Sequence, residues 1–162
     1  MATEDNVAFG PRARGVAKSE YQPRVEHFME EVGLADRRRA WPRQLSGGMR
    51  KRVAIASVFA NDPEILLMDE SFGALDFITR AKLHRLVMRL WQETGKTICF
   101  VTHDIDEALV LADRVIVLNN GGIALDETVD FPRPRGDELR SSASANDLRD
   151  RLLAILRAEN DE

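Results

Sequence analysis

Cysteine occurs once in this chain, tyrosine once and tryptophan twice. A single thiol cannot close an internal disulfide, so stability has to come from a packed core. Cys99 lies in the run 97–102, which reads as a strand, and burial as a small apolar residue is the expectation for it. Long apolar stretches are missing too. The longest, Val53 to Ala60, falls far short of the roughly eighteen residues that a membrane-spanning helix needs. Met1-Ala2-Thr3-Glu4-Asp5 is polar and acidic, unlike a basic-then-apolar secretory leader, and the expected location is the cytoplasm. Basic excess is also lacking: 23 Lys and Arg stand against 27 Asp and Glu, a net charge of −4. That balance gives no support to a nucleic-acid partner. Neither heptads nor internal repeats occur, which argues against coiled-coil arms and repeat arrays.

What is present suits one globular domain. The 162 residues are 44% hydrophobic, enough for a buried core. Residues 1–19 show no sustained period and are assigned no element, an irregular opening segment. From Glu20, the apolar positions Val25, Phe28, Met29 and Val32 recur at helical spacing, and Gly33 stands where a helix C-cap belongs. A second, more buried helix starts at Ser46 and ends near Asn61-Asp62-Pro63. Glu64 to Met68 is a short apolar run, the pattern of a strand covered on both faces in a parallel sheet. Leu83, Leu86, Val87, Leu90 and Trp91 then form the stripe of a helix closed by Gly95. A strand at 97–102, a short helix at 105–111 and a strand at 115–118 follow. Asn119-Asn120-Gly121-Gly122 predicts a hairpin turn into a partner at 123–129. Pro132, Pro134 and Gly136 mark a linker, and Leu148, Leu152, Ile155 and Leu156 a last amphipathic helix. Alternating strands and helices imply an α/β fold. The segments are 1–19, a helical portion at 20–61, an α/β core at 62–130, and a linker with its helix at 131–162.

Three places carry chemistry. Ser46 suits an N-cap, and Gly47 and Gly48 leave bare amides in the first helical turn, where the helix dipole favours an anion. The same tripeptide also serves as a plain helix start. Asp69 and Glu70 stand at the carboxyl end of a buried strand, where open α/β sheets bind ligands. One carboxylate there can serve a metal while its neighbour polarises water, although both also suit solvated acids. His103 directly follows the next strand, so parallel strands would bring it to the same sheet edge, within reach of a terminal phosphate. A structural or surface histidine is the alternative. His27 and His84 lie on predicted helices without such a setting.

Leu45-Ser46-Gly47-Gly48-Met49, Ile65-Leu66-Leu67-Met68-Asp69-Glu70, Gly73-Ala74-Leu75-Asp76 and Val101-Thr102-His103-Asp104 together resemble, in order and spacing, the motifs of the ATP-binding-cassette (ABC) ATPases. The similarity covers roughly residues 5–140 and looks nearest to importer ATPases for nitrate, taurine and aliphatic sulfonates. It implies the C-terminal portion of a P-loop nucleotidase cassette: a parallel-sheet core plus part of the helical subdomain that meets membrane subunits. It further implies a head-to-tail dimer with a second cassette, in which Leu45, Ser46, Gly47 and Gly48 cap ATP held by the other cassette. Glu70 would be the general base, Asp69 the Mg²⁺ residue, His103 the γ-phosphate sensor and Asp76 part of the D-loop that runs between the two cassettes. Asp76 equally suits a helix N-cap, and both readings stay open. Permease subunits and a substrate-binding protein would complete the system, with the ATPase peripheral on the inner membrane face. Met49, Ser71 and Ser57 depart from the residues most frequent at their positions; Ser57, where an Arg is typical, puts local helix contacts in question.

The P-loop itself is not in this sequence. Gly10 to Gly15 has the glycine spacing, but Val16 and Ala17 put Lys18-Ser19 out of register. Gly95-Lys96-Thr97 leaves a helix and enters a strand, the reverse of the required order. The resemblance therefore implies a truncated cassette or a fragment of a longer coding sequence. Such a chain is expected to need a P-loop supplied from outside it, or to act as a non-catalytic module offering its signature face to an intact ATPase.

Overall fold

A computed structural model describes residues 1–73, 75–136, 139 and 141–160, with side chains through Arg157. Two compact units divide the chain, Met1–Cys99 and Phe100–Glu162.

The first unit opens with α1 (Thr3–Val7) and α2 (Phe9–Ala13), where no element was expected. Five-residue helices are too short to display a period, and such short helices are not stable by themselves. Tertiary bonds hold them: the Thr3 and Glu4 amides donate to Ala40 O and Arg38 O at 2.8 and 3.0 Å. Thr3 and Val7 are fully buried. The Ser57 hydroxyl donates to Asn6 O at 3.3 Å, so the position where an Arg is typical ties its own helix to α1 instead.

Helix α3 (Lys18–Glu31) buries Tyr21, Val25, Phe28 and Met29. It ends as its sequence predicts. Gly33 adopts φ +69°, its amide donates to Glu30 O, and Leu34 N reaches back to Met29 O at 2.8 Å, a Schellman termination. Helix α4 (Gly47–Ala60) packs on α3 through Phe59 and Phe28, ring centroids 5.8 Å apart. After α4 the chain turns at Asp62, whose φ is +53°. Arg24 and Lys96 hold that carboxylate at 2.9 and 2.7 Å. The hydrogen bond from Lys96, with its charge and that of Arg24, holds the Asp62 pKa below its ordinary value.

Strand β1 (Ile65–Asp69) and strand β2 (Thr97–Val101) form a two-stranded parallel sheet. Helix α5 (Phe77–Thr94) connects them and closes at Gly95 with φ +61°. The expectation that β1 is covered on both faces is not met. Leu66 and Met68 are 1% and 7% exposed, while Ile65 and Leu67 are 59% and 76% exposed. Cys99, expected to be buried, is exposed as well. Strand alternation explains both corrections: one row of side chains meets the helices, and nothing among the described residues covers the other.

In the second unit, α6 (Ile105–Leu111) leads to an antiparallel hairpin of β3 (Arg114–Asn119) and β4 (Gly122–Thr128). Asn120 and Gly121 have φ +48° and +76°, so both central turn residues are left-handed, as a tight hairpin of this kind requires. The register slips between Val117 and Leu118, leaving Ala124 without a partner, a β-bulge. Helix α7 (Ala143–Asn160) is no appendage: Leu148 and Leu152 form a core with Leu109, Val115, Val117 and Val129. Residues 131–136 are tied down by Arg135, which donates to the carbonyls of Phe131, Leu109, Ala112 and Val129. Burial, with the charge of Arg133, pushes the Arg135 pKa down.

The two sides of β1 predict opposite mutational responses for adjacent leucines. Leu66→Ala should cost about 2–5 kcal/mol, and Leu67→Lys should stay within about 0.5 kcal/mol. Leu67→Lys should also reduce self-association, because it breaks an exposed apolar row. Urea denaturation and sedimentation check this; equal losses from both substitutions, or a wild-type chain that is monodisperse and monomeric, would contradict the exposed face.

Candidate functional site

Two helix N-termini meet in the first unit. Ser46 caps α4: its Oγ accepts from Met49 N at 3.2 Å, as expected for the serine of an N-cap. Leu45 is 5% exposed and anchors the loop, while Arg50 Nη1 donates to Leu45 O at 2.7 Å. Gly47 and Gly48 form the first turn. Helix geometry gives first-turn amides no acceptor within the helix, which leaves them available to an anion.

Asp76 caps α5, its Oδ1 accepting from Thr79 N at 3.0 Å. Those hydrogen bonds from Thr79 hold the Asp76 pKa below its ordinary value. The capping reading of Asp76 is thus observed. Ala74, in the same motif, lies outside the described residues. The two caps are neighbours because Gly48 lacks a side chain. A Cβ on Gly48 would stand 3.1 Å from Thr79 Cγ2, whereas one on Gly47 would meet only Arg50 Nη2, at 4.0 Å. Sequence reasoning missed Thr79. Its one visible signal is a position three residues after a capping Asp.

Asp69 ends β1 and Glu70 follows it, both exposed. Glu70 has φ +42°, a left-handed conformation that costs a non-glycine residue about 1–2 kcal/mol. Such strain persists only where the surroundings impose it. Here the turn is closed by Gly73 N donating to Glu70 O at 3.2 Å. It is also plugged by Phe72, fully buried, whose ring stands edge-on to His84 of α5 at 4.7 Å. Phe72 and His84 thus fix the strand-end turn, a role the sequence did not disclose because they lie twelve residues apart. His27, the other helical histidine, is exposed and sits 2.5 Å from Glu93.

His103 belongs to the second unit, just past β2. It lies between Thr102, whose hydroxyl donates to Glu107 at 2.8 Å, and Asp104, the N-cap of α6. Among the described residues, no group of three or more His, Cys, Asp or Glu side chains is arranged to hold a metal ion. No helix is long and apolar enough to cross a membrane, again among the described residues.

The sequence pattern of the family described as "ABC transporter" matches residues 1–73, which include the α4 cap and the β1 carboxylates. A taurine import ATP-binding protein from Jannaschia sp. (strain CCS1) is 50% identical over 118 residues, 73% of this chain and 44% of that protein. An aliphatic sulfonates import ATP-binding protein from Pseudomonas fluorescens is 47% identical over 156 residues, 96% of this chain and 57% of its own. Its counterpart from Mycobacterium sp. (strain MCS) is 46% identical over 153 residues, 93% and 60%. The chain spans about half the length of the curated relatives it matches.

Five substitutions test the paired caps. Ser46→Ala should cost about 1 kcal/mol. Gly48→Ala should destabilise more than Gly47→Ala, and Thr79→Ser, which removes Cγ2, should recover part of the difference in a double-mutant cycle. Additive effects would dissolve the contact. Because the Asp76 pKa is lowered on folding, its contribution is complete above the ordinary aspartate value of about 3.9 and is lost as pH falls below it. Asp76→Asn keeps an acceptor and should flatten that acid limb of the stability–pH curve; an unchanged limb would contradict the assignment.

Proposed function

This chain belongs to the ABC transporter family, and from that premise we propose that it serves as part of the ATP-binding subunit of an importer for a small anion, taurine or an alkyl sulfonate. The observation that carries the reading is the junction of α4 and α5, where the bare first turn at Gly47 and Gly48 lies against the Asp76 cap. An anion-favouring helix end beside a capping carboxylate suits a surface that closes on nucleotide phosphates held by another subunit. ATP is then bound between two cassettes arranged head to tail. Leu45, Ser46, Gly47 and Gly48 act on the nucleotide of the partner cassette, and Asp76 contacts that partner.

Glu70 takes the role of general base, orienting and deprotonating the attacking water, and its imposed left-handed turn supports a fixed carboxylate. Asp69 suits Mg²⁺, a hard ion that takes one or two carboxylates and completes its shell with phosphate oxygens and water, so a cluster of three protein donors is not required. When bound, the ion neutralises charge on the phosphate oxygens. His103 donates a hydrogen bond to the γ-phosphate. Permease subunits convert the closure of the cassettes into transport, with a binding protein delivering the anion and the cassettes peripheral to the inner membrane face.

The chain alone should neither bind Mg-ATP at micromolar concentration nor hydrolyse it, because no Gly-x-x-x-x-Gly-Lys-Ser/Thr occurs in its 162 residues. Joining it to the P-loop-bearing segment of a taurine-import relative should restore ATPase activity. In that chimera Glu70→Gln should lower kcat on the order of a hundredfold or more, while nucleotide binding persists. Calorimetric Mg-ATP binding by the chain alone, or an active Glu70→Gln chimera, would contradict the proposal. The same motif inventory favours a second reading, a non-catalytic module that lends its signature face to an intact cassette. Restored activity in the chimera argues for the first reading. Failure there, with co-purification and stimulation of an intact cassette, argues for the second.

A further inference from the structure

The turn that bears His103 is held from both ends. Thr102 Oγ1 donates to Glu107 Oε2 at 2.8 Å and accepts from Asp104 N at 3.0 Å. Asp104 Oδ1 in turn accepts from Asp106 N at 2.9 Å and Glu107 N at 3.2 Å. Glu107 is 5% exposed, so its carboxylate depends on partners of this kind. His103 is the single residue between the two anchored positions.

Helix α6 has seven residues, too few to be stable alone, so the geometry of its first turn depends on what packs against it. That support comes from α7. Arg149 places Nε and Nη2 at 2.9 and 2.8 Å from Asp106 Oδ1, and its other terminal nitrogen donates to Asn146 of its own helix. The Arg149 side chain is 19% exposed and that of Asp106 45%, so the pair is partly shielded from solvent. On the same helix, the adjacent Leu148 and, one turn on, Leu152 form a core with Leu109 of α6. A guanidinium on α7 is therefore linked to Asp106, which lies three residues after His103 and whose amide donates to the Asp104 cap.

We infer that Arg149 is a positioning residue for His103, and that α7 sets the orientation of the turn bearing the imidazole. The inference rests on the reading of His103 as the group that faces the γ-phosphate. It adds a function to α7: displacement of this helix is transmitted to the phosphate-facing turn through the Arg149–Asp106 pair, beside the packing of Leu148 and Leu152 on Leu109. A second α7 pair supplies the comparison. Arg151 meets Glu127 of β4 at 2.7 Å, an equal charge on the same helix that does not touch the His103 turn.

Hydrogen exchange on the 162-residue chain, read by mass spectrometry at backbone amides and at imidazole C2, tests this without nucleotide. The chain has three histidines, His27, His84 and His103, which separate into different peptides. Arg149→Gln should accelerate amide exchange at residues 103–107 roughly two- to fivefold. It should also change C2 exchange at His103, leaving His27, His84 and the β3–β4 amides as they are. Arg149→Lys should fall between, and Arg151→Gln should leave the His103 peptide unchanged. The inference is overturned if His103 does not respond to Arg149→Gln, or responds equally to Arg151→Gln. General loosening of the second unit in both Arg149 variants overturns it too. Because no nucleotide enters the measurement, failure of the ATPase reading and failure of this link are separate results.

Discussion

The close approach of Gly48 to Thr79 is the constraint on which the first unit's site depends. At 3.1 Å from the Thr79 methyl, a Cβ at position 48 would require the Thr79 side chain to give by a few tenths of an ångström. Two helices thereby present adjacent N-termini, each with a side-chain cap, Ser46 on one and Asp76 on the other. The dipole of each end favours negative charge, which the Asp76 carboxylate supplies at α5. The Glu70 turn also hangs on α5, through Phe72 and His84, so the strand-end carboxylates and the capped helix ends share one support.

Much of this was legible in the sequence because it is local. A serine before two glycines, an aspartate three residues before Thr79, Gly33 and Gly95 behind apolar stripes, and Asn-Asn-Gly-Gly between strands each specify a backbone conformation within a few residues. Those features appear where expected. Helices α1 and α2 were not legible, since their stability comes from carbonyls at Arg38 and Ala40 rather than from their own residues. Nor was the side of β1 that lacks cover: an apolar run announces hydrophobic surface, and whether another layer meets it is a tertiary fact. Leu67 and Cys99 follow from that same tertiary fact.

The candidate site shows a similar division. Residue identity and spacing pointed to Ser46, Gly47, Gly48, Asp69, Glu70 and His103, because strand ends and helix starts are where backbone geometry concentrates ligand-binding groups. The residues that fix their geometry were silent. Thr79, Phe72, His84 and Arg149 act across distances that no sequence pattern records, and each is an ordinary helix or loop residue until its neighbour is known. Asp62 belongs with them, since its left-handed turn into β1 is held by Arg24 and Lys96 from other elements.

The central claim is that the Gly47–Gly48 helix end closes on phosphates carried by another polypeptide. Sedimentation of this chain mixed with a P-loop-bearing cassette of a taurine-import relative, with and without Mg-ATP under conditions that prevent hydrolysis, tests it most directly. The account predicts a heterodimer that forms with Mg-ATP and is lost when Ser46 and Gly47 are replaced by Ala and Asp. Association that is indifferent to Mg-ATP, or to those two substitutions, would contradict it.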